Sequence, residues 1–334
     1  MSLFDAILAN LLSPPVLFFV LGVLASILRT DLKLPEALYV TLTVYLLVAI
    51  GFKGGVAIAD AGVARVWLPA AAAFGLGAII PAWSYPLLRL GKLSRVDAAS
   101  IAAHYGSVSA VTFIAATNYL KQIQQPYEDY APAFLAVMES PAIIIGVLLG
   151  KLALRAEAEP GAGSMSLGRT MRDALHEAVL GRSVFLLLGA LVAGFLSGKR
   201  GYEATAGFFV TPFQGVLTLF LLEMGSVAGR RLGDLRKVGA FLLAFGLVMP
   251  VVHGFVGAGL GHLVGLAAGG CALLGALAAS ASYIAAPAAM RLSLPEANPT
   301  LSLTAALAIT FPFNVTVGIP LYYEMARWWN GSLP

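Results

Sequence analysis

The chain has 334 residues, of which 59% are hydrophobic and 11% are charged. A soluble domain is roughly a quarter charged, and a soluble fold of this length could not hide so much apolar surface, so the composition indicates a polytopic membrane protein in a lipid bilayer. The net charge is +4, but the basic residues lie in short loops between apolar segments, which argues against nucleic acid as a partner.

Ten apolar segments are long enough to cross the hydrocarbon core of a bilayer, which takes roughly 20 residues. The third and eighth are long and contain Pro81 and Pro250, so we expect tilt or kinks there. The predicted spans are 14–28, 36–51, 66–88, 97–119, 130–150, 182–197, 207–228, 238–266, 269–290 and 299–327.

The basic residues are divided unevenly between the two sets of loops. One set holds 15 of the 21 Lys and Arg residues, and the opposite set holds six. Because cytoplasmic loops carry the excess of positive charge, the richer set is predicted to be cytoplasmic. With an even number of spans, both termini are then expected outside.

A polar segment rich in Pro and Gly around Pro160 is predicted to be a flexible cytoplasmic connector. It divides the chain into a first five-helix repeat at 1–155, a linker at 156–181 and a second five-helix repeat at 182–334. Because five is odd, the second half would enter the membrane from the opposite side, as in the inverted repeats of secondary transporters. The features that match between the halves include Gly51 with Gly225, Pro141 with Pro312, and the pair Ser107 and Ser109 with Ser280 and Ser282.

Two polar stretches, at 104–112 and 279–287, lie in the middle of apolar segments. We interpret them as breaks in two membrane helices that face each other around one small polar site. Free backbone N–H groups at membrane depth need a partner, and half-helix N-termini favour anions. The alternative is close helix packing, with hydroxyls bonded to carbonyls of their own helix. The candidate substrate-binding residues are Gly106, Ser107, Ser109, Ser280, Ser282 and Tyr283.

Three further residues are candidates for ion coupling. Glu139 lies in an apolar run before Pro141, and carboxylates inside a membrane are costly and indicate function. It could bind a cation or carry a proton. Thr112 belongs to the first polar stretch, and Asn314 lies beside Pro312 in the last span. Glu223 is also in an apolar run, but it could instead face a vestibule near the end of its span.

Several runs of this chain resemble the sodium-dependent bicarbonate symporter family of cyanobacteria and other bacteria. The resemblance extends from Ser13 to about Glu324 in the same order. The most specific run is 250–261, which begins Pro-Val-Val-His-Gly-Phe. The other runs are 54–58, 106–109, 138–141, 235–238 and 297–299.

This resemblance implies ten spans in two inverted five-helix repeats, broken fourth and ninth helices, and a core domain that moves against a gate domain. It also implies a homotrimer in the inner membrane of a bacterium and uptake of bicarbonate driven by Na⁺. A small PII-like cytoplasmic regulator that binds adenine nucleotides inhibits some members.

The sequence departs from the family pattern at several places, including the turn at 286–288 and residues 109–112 of the first polar stretch, and two departures bear directly on coupling and on partners. Tyr283 stands where the family has an acidic residue, and a neutral phenol is a poorer ligand for a small cation than a carboxylate. The linker is shorter than in the cyanobacterial members, which argues against the PII-like partner.

We therefore predict an all-α secondary active transporter of a small anion, by preference Na⁺-dependent bicarbonate symport through alternating access. The alternatives are another small carboxylate or organic anion on the same fold, coupling to H⁺, or a transport-inactive membrane sensor. The chain carries no nucleophile motif, phosphate-binding loop, metal-ligand spacing or dinucleotide fingerprint. It is therefore not expected to be an enzyme, to bind a structural metal or to use a cofactor other than Na⁺.

Overall fold

The computed structural model describes residues 3–157 except 31 and 33, residue 180, and residues 182–331. Most of the predicted linker at 156–181 therefore lies outside the described residues. The described part of the chain consists of helices and the loops between them and contains no strand. This agrees with the all-α class expected from the sequence.

We number the helices in chain order. They are α1 Leu3–Leu11, α2 Pro14–Ile27, α3 Glu36–Ala61, α4 Val63–Leu90, α5 Arg95–Gly106, α6 Ala110–Gln122, α7 Pro132–Glu157, α8 Arg182–Phe209, α9 Phe213–Arg231, α10 Leu235–Leu263, α11 Ala268–Ala278, α12 Ala285–Ser293 and α13 Pro299–Trp329. The last of these includes two π-helical stretches, Ala305–Thr310 and Asn314–Gly318.

Seven helical segments of the described residues are long and apolar enough to cross a membrane, and the bent pair α1 and α2 makes an eighth. This confirms an integral membrane protein but not the predicted count of ten. Two features lower the count. Only a 3₁₀ turn at Leu232–Asp234 separates α9 from α10, so Phe213–Leu263 forms one segment of 51 residues. In addition, α11 has only 11 residues.

The helix ends and bends differ from the sequence prediction in three places. Helix α1 was not predicted, and it meets α2 at 64°. Helix α8 continues to Phe209, but its backbone is non-helical at Gly198, directly after the predicted span 182–197. Inside α10 the non-helical residue is Gly239, at φ 77°, and not Pro250. Glycine adopts positive φ without steric cost, whereas the neighbouring helices of a membrane bundle accommodate proline.

The helices pack in two units. The four-helix unit consists of α2, α3, α8 and α9, in which α2 packs along α9 and α3 packs along α8. The main unit consists of α4 to α7 and α10 to α13, with α1 packed against α13. Large apolar side chains such as Leu21, Phe74 and Leu196 remain exposed on the outer faces, as expected for contact with lipid.

Close glycine contacts join both helix pairs of the four-helix unit. A Cβ atom at Gly22 of α2 would overlap the backbone of α9, and one at Gly225 of α9 would overlap the backbone of α2. In the same way, a Cβ atom at Gly55 of α3 would overlap the backbone of α8, and one at Gly194 of α8 would overlap the backbone of α3. Small residues let membrane helices approach closely, so these four positions set the separation within the unit.

The two broken segments, α5 with α6 and α11 with α12, lie at the centre of the main unit. Every residue of α5 is buried from Val96 onward apart from Asp97, and α6 and α11 are almost completely buried. The polar breaks that follow α5 and α11 are thus shielded from lipid.

Candidate functional site

The first break separates α5 from α6. Helix α5 ends at Gly106, where a Cβ atom would overlap the ring of Pro81 on α4. Ser107 and Ser109 have extended backbones, and Ser109 then caps α6 by accepting a hydrogen bond from the Thr112 amide at 3.1 Å. Serine is a preferred N-cap residue, so the local sequence favours a new helix at Ala110.

The second break separates α11 from α12. Helix α11 ends at Ala278, and residues 279–284 are not helical. The hydroxyl of Ser282 accepts a hydrogen bond from the Ala286 amide at 3.2 Å, at the start of α12. Pro287, in the first turn, lacks an N–H group and disfavours helix at the preceding residue. Both predicted helix breaks are therefore present.

The two breaks cross and satisfy each other's backbone. The Ser109 amide donates to the hydroxyl of Ser280 at 2.9 Å, and that hydroxyl donates to the Leu277 carbonyl at 2.8 Å. The Ser282 amide donates to the His104 carbonyl at 2.7 Å. Two backbone groups released by the breaks thus find protein partners at membrane depth, as the lack of water there requires.

The Ser280 hydroxyl holds this crossing together, and its loss should be measurable. Ser280→Ala leaves the buried Ser109 amide without an acceptor, so we expect the free energy of unfolding to fall by about 1–3 kcal/mol. Ser84 is a matched control, because its buried hydroxyl has no hydrogen-bond partner among the described residues. Thermal unfolding in detergent should show a clear loss for Ser280→Ala and little change for Ser84→Ala. Equal stability of the two variants would contradict this role.

A small cavity lies beside the crossing, between the main unit and the four-helix unit. The polar residues that line it from the main unit are Ser109, Glu139, Ser282 and Tyr283. The Ser109 hydroxyl donates to the Tyr283 phenol oxygen at 3.3 Å. The cavity volume is about 20 Å³, room for about one water molecule. The two units thus leave little space at the site in this conformation.

Glu139 is the acidic residue of this cavity. Its side chain is 7% exposed, and no described residue forms a hydrogen bond or an ion pair with its carboxyl group. Glu223, the other acid predicted inside an apolar run, differs. Its carboxylate pairs with Arg230 at 3.1 Å and accepts a hydrogen bond from the Leu34 amide at 3.3 Å. Of the two, Glu139 is therefore the one available to a cation or a proton.

The α6 N-terminus supplies positive potential to the same cavity. Ala110 and Val111 line it, and the first amides of a helix have no partner within that helix. These amides are oriented along the helix dipole, whose positive end favours an anion. The cavity therefore has hydrogen-bond donors suited to an anion at its α6 end and a carboxyl group suited to a cation at Glu139.

The other predicted site residues lie around this cavity but do not line it. The hydroxyls of Ser107 and Thr112 are buried and have no hydrogen-bond partner among the described residues. Asn314 supports the crossing from behind: its amide donates to the Ala279 carbonyl at 2.9 Å, and its oxygen accepts from Tyr322 at 2.6 Å. Gly106 packs against Pro81. The roles of these residues in binding or coupling stay predictions.

The sequence analysis missed the opposite wall of the cavity. The four-helix unit contributes mainly apolar side chains, which a search for polar residues in apolar segments cannot find. Thr43 does not stand out in the sequence either, because a threonine in an apolar helix can satisfy its hydroxyl within that helix. The Thr43 hydroxyl does so by donating to the Tyr39 carbonyl. The missed lining residues are Thr43, Leu46, Leu47, Leu187 and Phe220.

Comparison with known proteins gives one family match. The family model described as the Na⁺-dependent bicarbonate transporter superfamily matches residues 14–327, which is nearly the whole chain. A comparison with curated proteins found no match. The extent of the family match confirms the resemblance seen in the sequence: the chain belongs to the Na⁺-dependent bicarbonate transporter superfamily.

Proposed function

We propose that the protein is a secondary active transporter that takes up bicarbonate together with Na⁺ by alternating access. One observation supports this proposal most strongly. The carboxyl group of Glu139, which has no partner among the described residues, lines the same cavity as the crossing of two broken helices. A cation and an anion can therefore occupy neighbouring positions, each reducing the cost of burying the other.

The anion would bind at the α6 end of the cavity. The amides of Ala110 and Val111 would donate hydrogen bonds to its oxygens, and the hydroxyls of Ser109 and Ser282 would add further donors. Backbone donors at a helix N-terminus bind an anion without a fixed positive side chain. The cavity would have to widen to admit bicarbonate, and a bulkier organic anion would require a still larger opening.

The cation would bind at Glu139, with the Tyr283 phenol oxygen as a neutral ligand. Carboxylate and carbonyl oxygens suit hard cations. Tyr283 stands at the position that is acidic in the family pattern, so Glu139 would provide the negative charge here. Proton coupling is the second candidate, because a protonated carboxyl group also needs no counter-ion inside a membrane.

The two helix units would provide the moving parts, with the four-helix unit as gate and the main unit as core. We propose ten spans: α1 with α2, α3, α4, α5 with α6, α7, α8, α9, α10, α11 with α12, and α13. The reciprocal glycine contacts support two inverted repeats. In such repeats α2 corresponds to α8 and α3 corresponds to α9, so the contact between α2 and α9 is equivalent to the contact between α8 and α3. This topology places the termini outside in a bacterial inner membrane. The homotrimer and the PII-like regulator stay predictions.

Uptake of radiolabelled bicarbonate by proteoliposomes tests the transport proposal directly. We expect an inward Na⁺ gradient to drive uptake above that of protein-free liposomes, at several pH values. Replacing Na⁺ by K⁺ should reduce uptake to the protein-free level.

The other outcomes separate the alternatives. Uptake that ignores Na⁺ but follows an imposed pH gradient would replace Na⁺ with H⁺ as the coupling ion. No uptake under any gradient would overturn bicarbonate as substrate, and binding of small carboxylates would then distinguish another anion from a transport-inactive sensor.

A further inference from the structure

A second and larger cavity, which we call the vestibule, lies between the same two helix units. Its volume is about 280 Å³. Lys53 and Gln214 line it from the four-helix unit, and Lys121, Tyr127 and Asp129 line it from the main unit. The predicted site residues do not include any of these side chains.

The vestibule is stacked on the central cavity along four helices. Each helix contributes at least one pair of residues seven positions apart, of which one lines the central cavity and the other lines the vestibule. Seven residues are about two helical turns, or about 10 Å. The two cavities therefore lie on one axis through the protein. The pairs are Leu46 and Lys53 on α3, Ile114 and Lys121 on α6, Glu139 and Pro132 on α7, and Phe220 and Phe213 on α9.

The charges of the vestibule leave one cation in excess. Lys53 pairs with Asp129 at 2.8 Å, and this ion pair joins the two helix units. The Lys121 ammonium lies 5.8 Å from the centre of the Phe213 ring and has no anionic partner among the described residues. Tyr127 lies beneath Lys53, 5.9 Å from its ammonium. Burial raises the pKa of the Tyr127 phenol, so this side chain remains a neutral hydrogen-bond donor at neutral pH.

We propose that the vestibule is an entry site for small monovalent anions, in which Lys121 is the binding cation and Lys53 assists it. The site rests on the proposed function, since its purpose is to concentrate the anion next to the central cavity. Clefts lined by one sign of charge raise the local concentration of oppositely charged ligands and speed their encounter. By the charge distribution of the loops, the vestibule opens outside.

Thiol labelling tests the electrostatics of the vestibule independently of transport. Gln214 is exposed and lines the vestibule, so the Gln214→Cys variant, in a background with Cys271→Ala, offers a single reactive thiol. We would measure its reaction rate in sealed vesicles with two impermeant methanethiosulfonates, one carrying a sulfonate and one a trimethylammonium group.

The expected readout is the ratio of anionic to cationic labelling rates. Adding Lys121→Gln should lower this ratio about fivefold, a moderate value for steering by charge. Lys199→Gln is the matched control, because it removes the same charge at an exposed ion pair with Asp60, outside the vestibule. An unchanged ratio with Lys121→Gln, or an equal change with Lys199→Gln, would overturn the entry site.

Uptake kinetics then separate this inference from the transport proposal. In proteoliposomes, Lys121→Gln should raise the KM for bicarbonate several-fold with little change in maximal rate, and Lys121→Arg should restore it. A lowered maximal rate with unchanged KM would contradict an entry role. If wild-type protein takes up no bicarbonate but the labelling ratio still depends on Lys121, the transport proposal fails and the anion-attracting vestibule stands.

Discussion

Glu139→Gln should abolish Na⁺-dependent uptake while leaving the protein folded. The carboxyl group lines the central cavity and has no partner among the described residues, so a bound cation would be its counter-charge. Removing one member of a buried charge pair costs about 3–5 kcal/mol, which lowers cation affinity at least about 100-fold. The glutamine fits the same space, and it removes a charge that is costly to bury in the empty site. The midpoint of thermal unfolding should therefore stay the same or rise.

Glu223→Gln is the matched control for this experiment. Glu223 is equally buried, but its carboxylate is already paired with Arg230. Its replacement should lower thermal stability slightly and leave the dependence of uptake on Na⁺ unchanged. If Glu139→Gln retained Na⁺-dependent uptake at wild-type Na⁺ concentrations, the coupling ion would have to bind elsewhere, and the proposed role of Glu139 would be wrong.

The sequence predicted the central part of the candidate site for a physical reason. Serines and a carboxylate inside apolar segments are costly unless they have partners, so their presence indicated helix breaks and a polar site. Ser109, Ser282, Tyr283 and Glu139 indeed line one cavity. Asn314 shows the limit of this reasoning, since a buried amide can equally well support a crossing by bonding to a carbonyl.

The vestibule could not be predicted in the same way. Lys53 and Lys121 lie near the ends of their helices, where basic residues are ordinary interfacial anchors. Their importance depends on packing: Asp129 pairs with one lysine and leaves the other without an acidic partner among the described residues. This difference between Lys53 and Lys121 becomes visible only when α3 and α6 are seen to line a common cavity.

The sequence predicts two repeats, but it leaves their register open. The prediction matched Gly51 with Gly225, whereas the reciprocal contacts match Gly55 with Gly225 and Gly194 with Gly22. Glycine is frequent in this chain, with 36 residues, so sequence spacing alone leaves a choice of several registers. If the halves are repeats as proposed, the backbone contacts between α2 and α9 and between α3 and α8 select one register.

The glycine contacts should respond strongly to the addition of one methyl group. Gly194→Ala would place a Cβ atom against the backbone of Phe52, and Gly225→Ala would place one against the backbone of Phe19 and Val23. Backbone cannot move aside as a flexible side chain can, so the helices must separate. We expect each substitution to lower the free energy of unfolding by about 1–3 kcal/mol, as overpacking does, and to lower the midpoint of thermal unfolding in detergent.

Two glycines on the same helices are matched controls. Gly189 on α8 and Gly215 on α9 have nothing within 4 Å of an added Cβ atom. Alanine there should be neutral or stabilising, because glycine lowers helix propensity by up to about 1 kcal/mol. The same substitution is thus expected to act in opposite directions on one helix. Because the two crossings are related by the proposed repeat, Gly194→Ala and Gly225→Ala should also cost similar amounts. A large loss at one crossing and none at the other would argue against equivalent repeats.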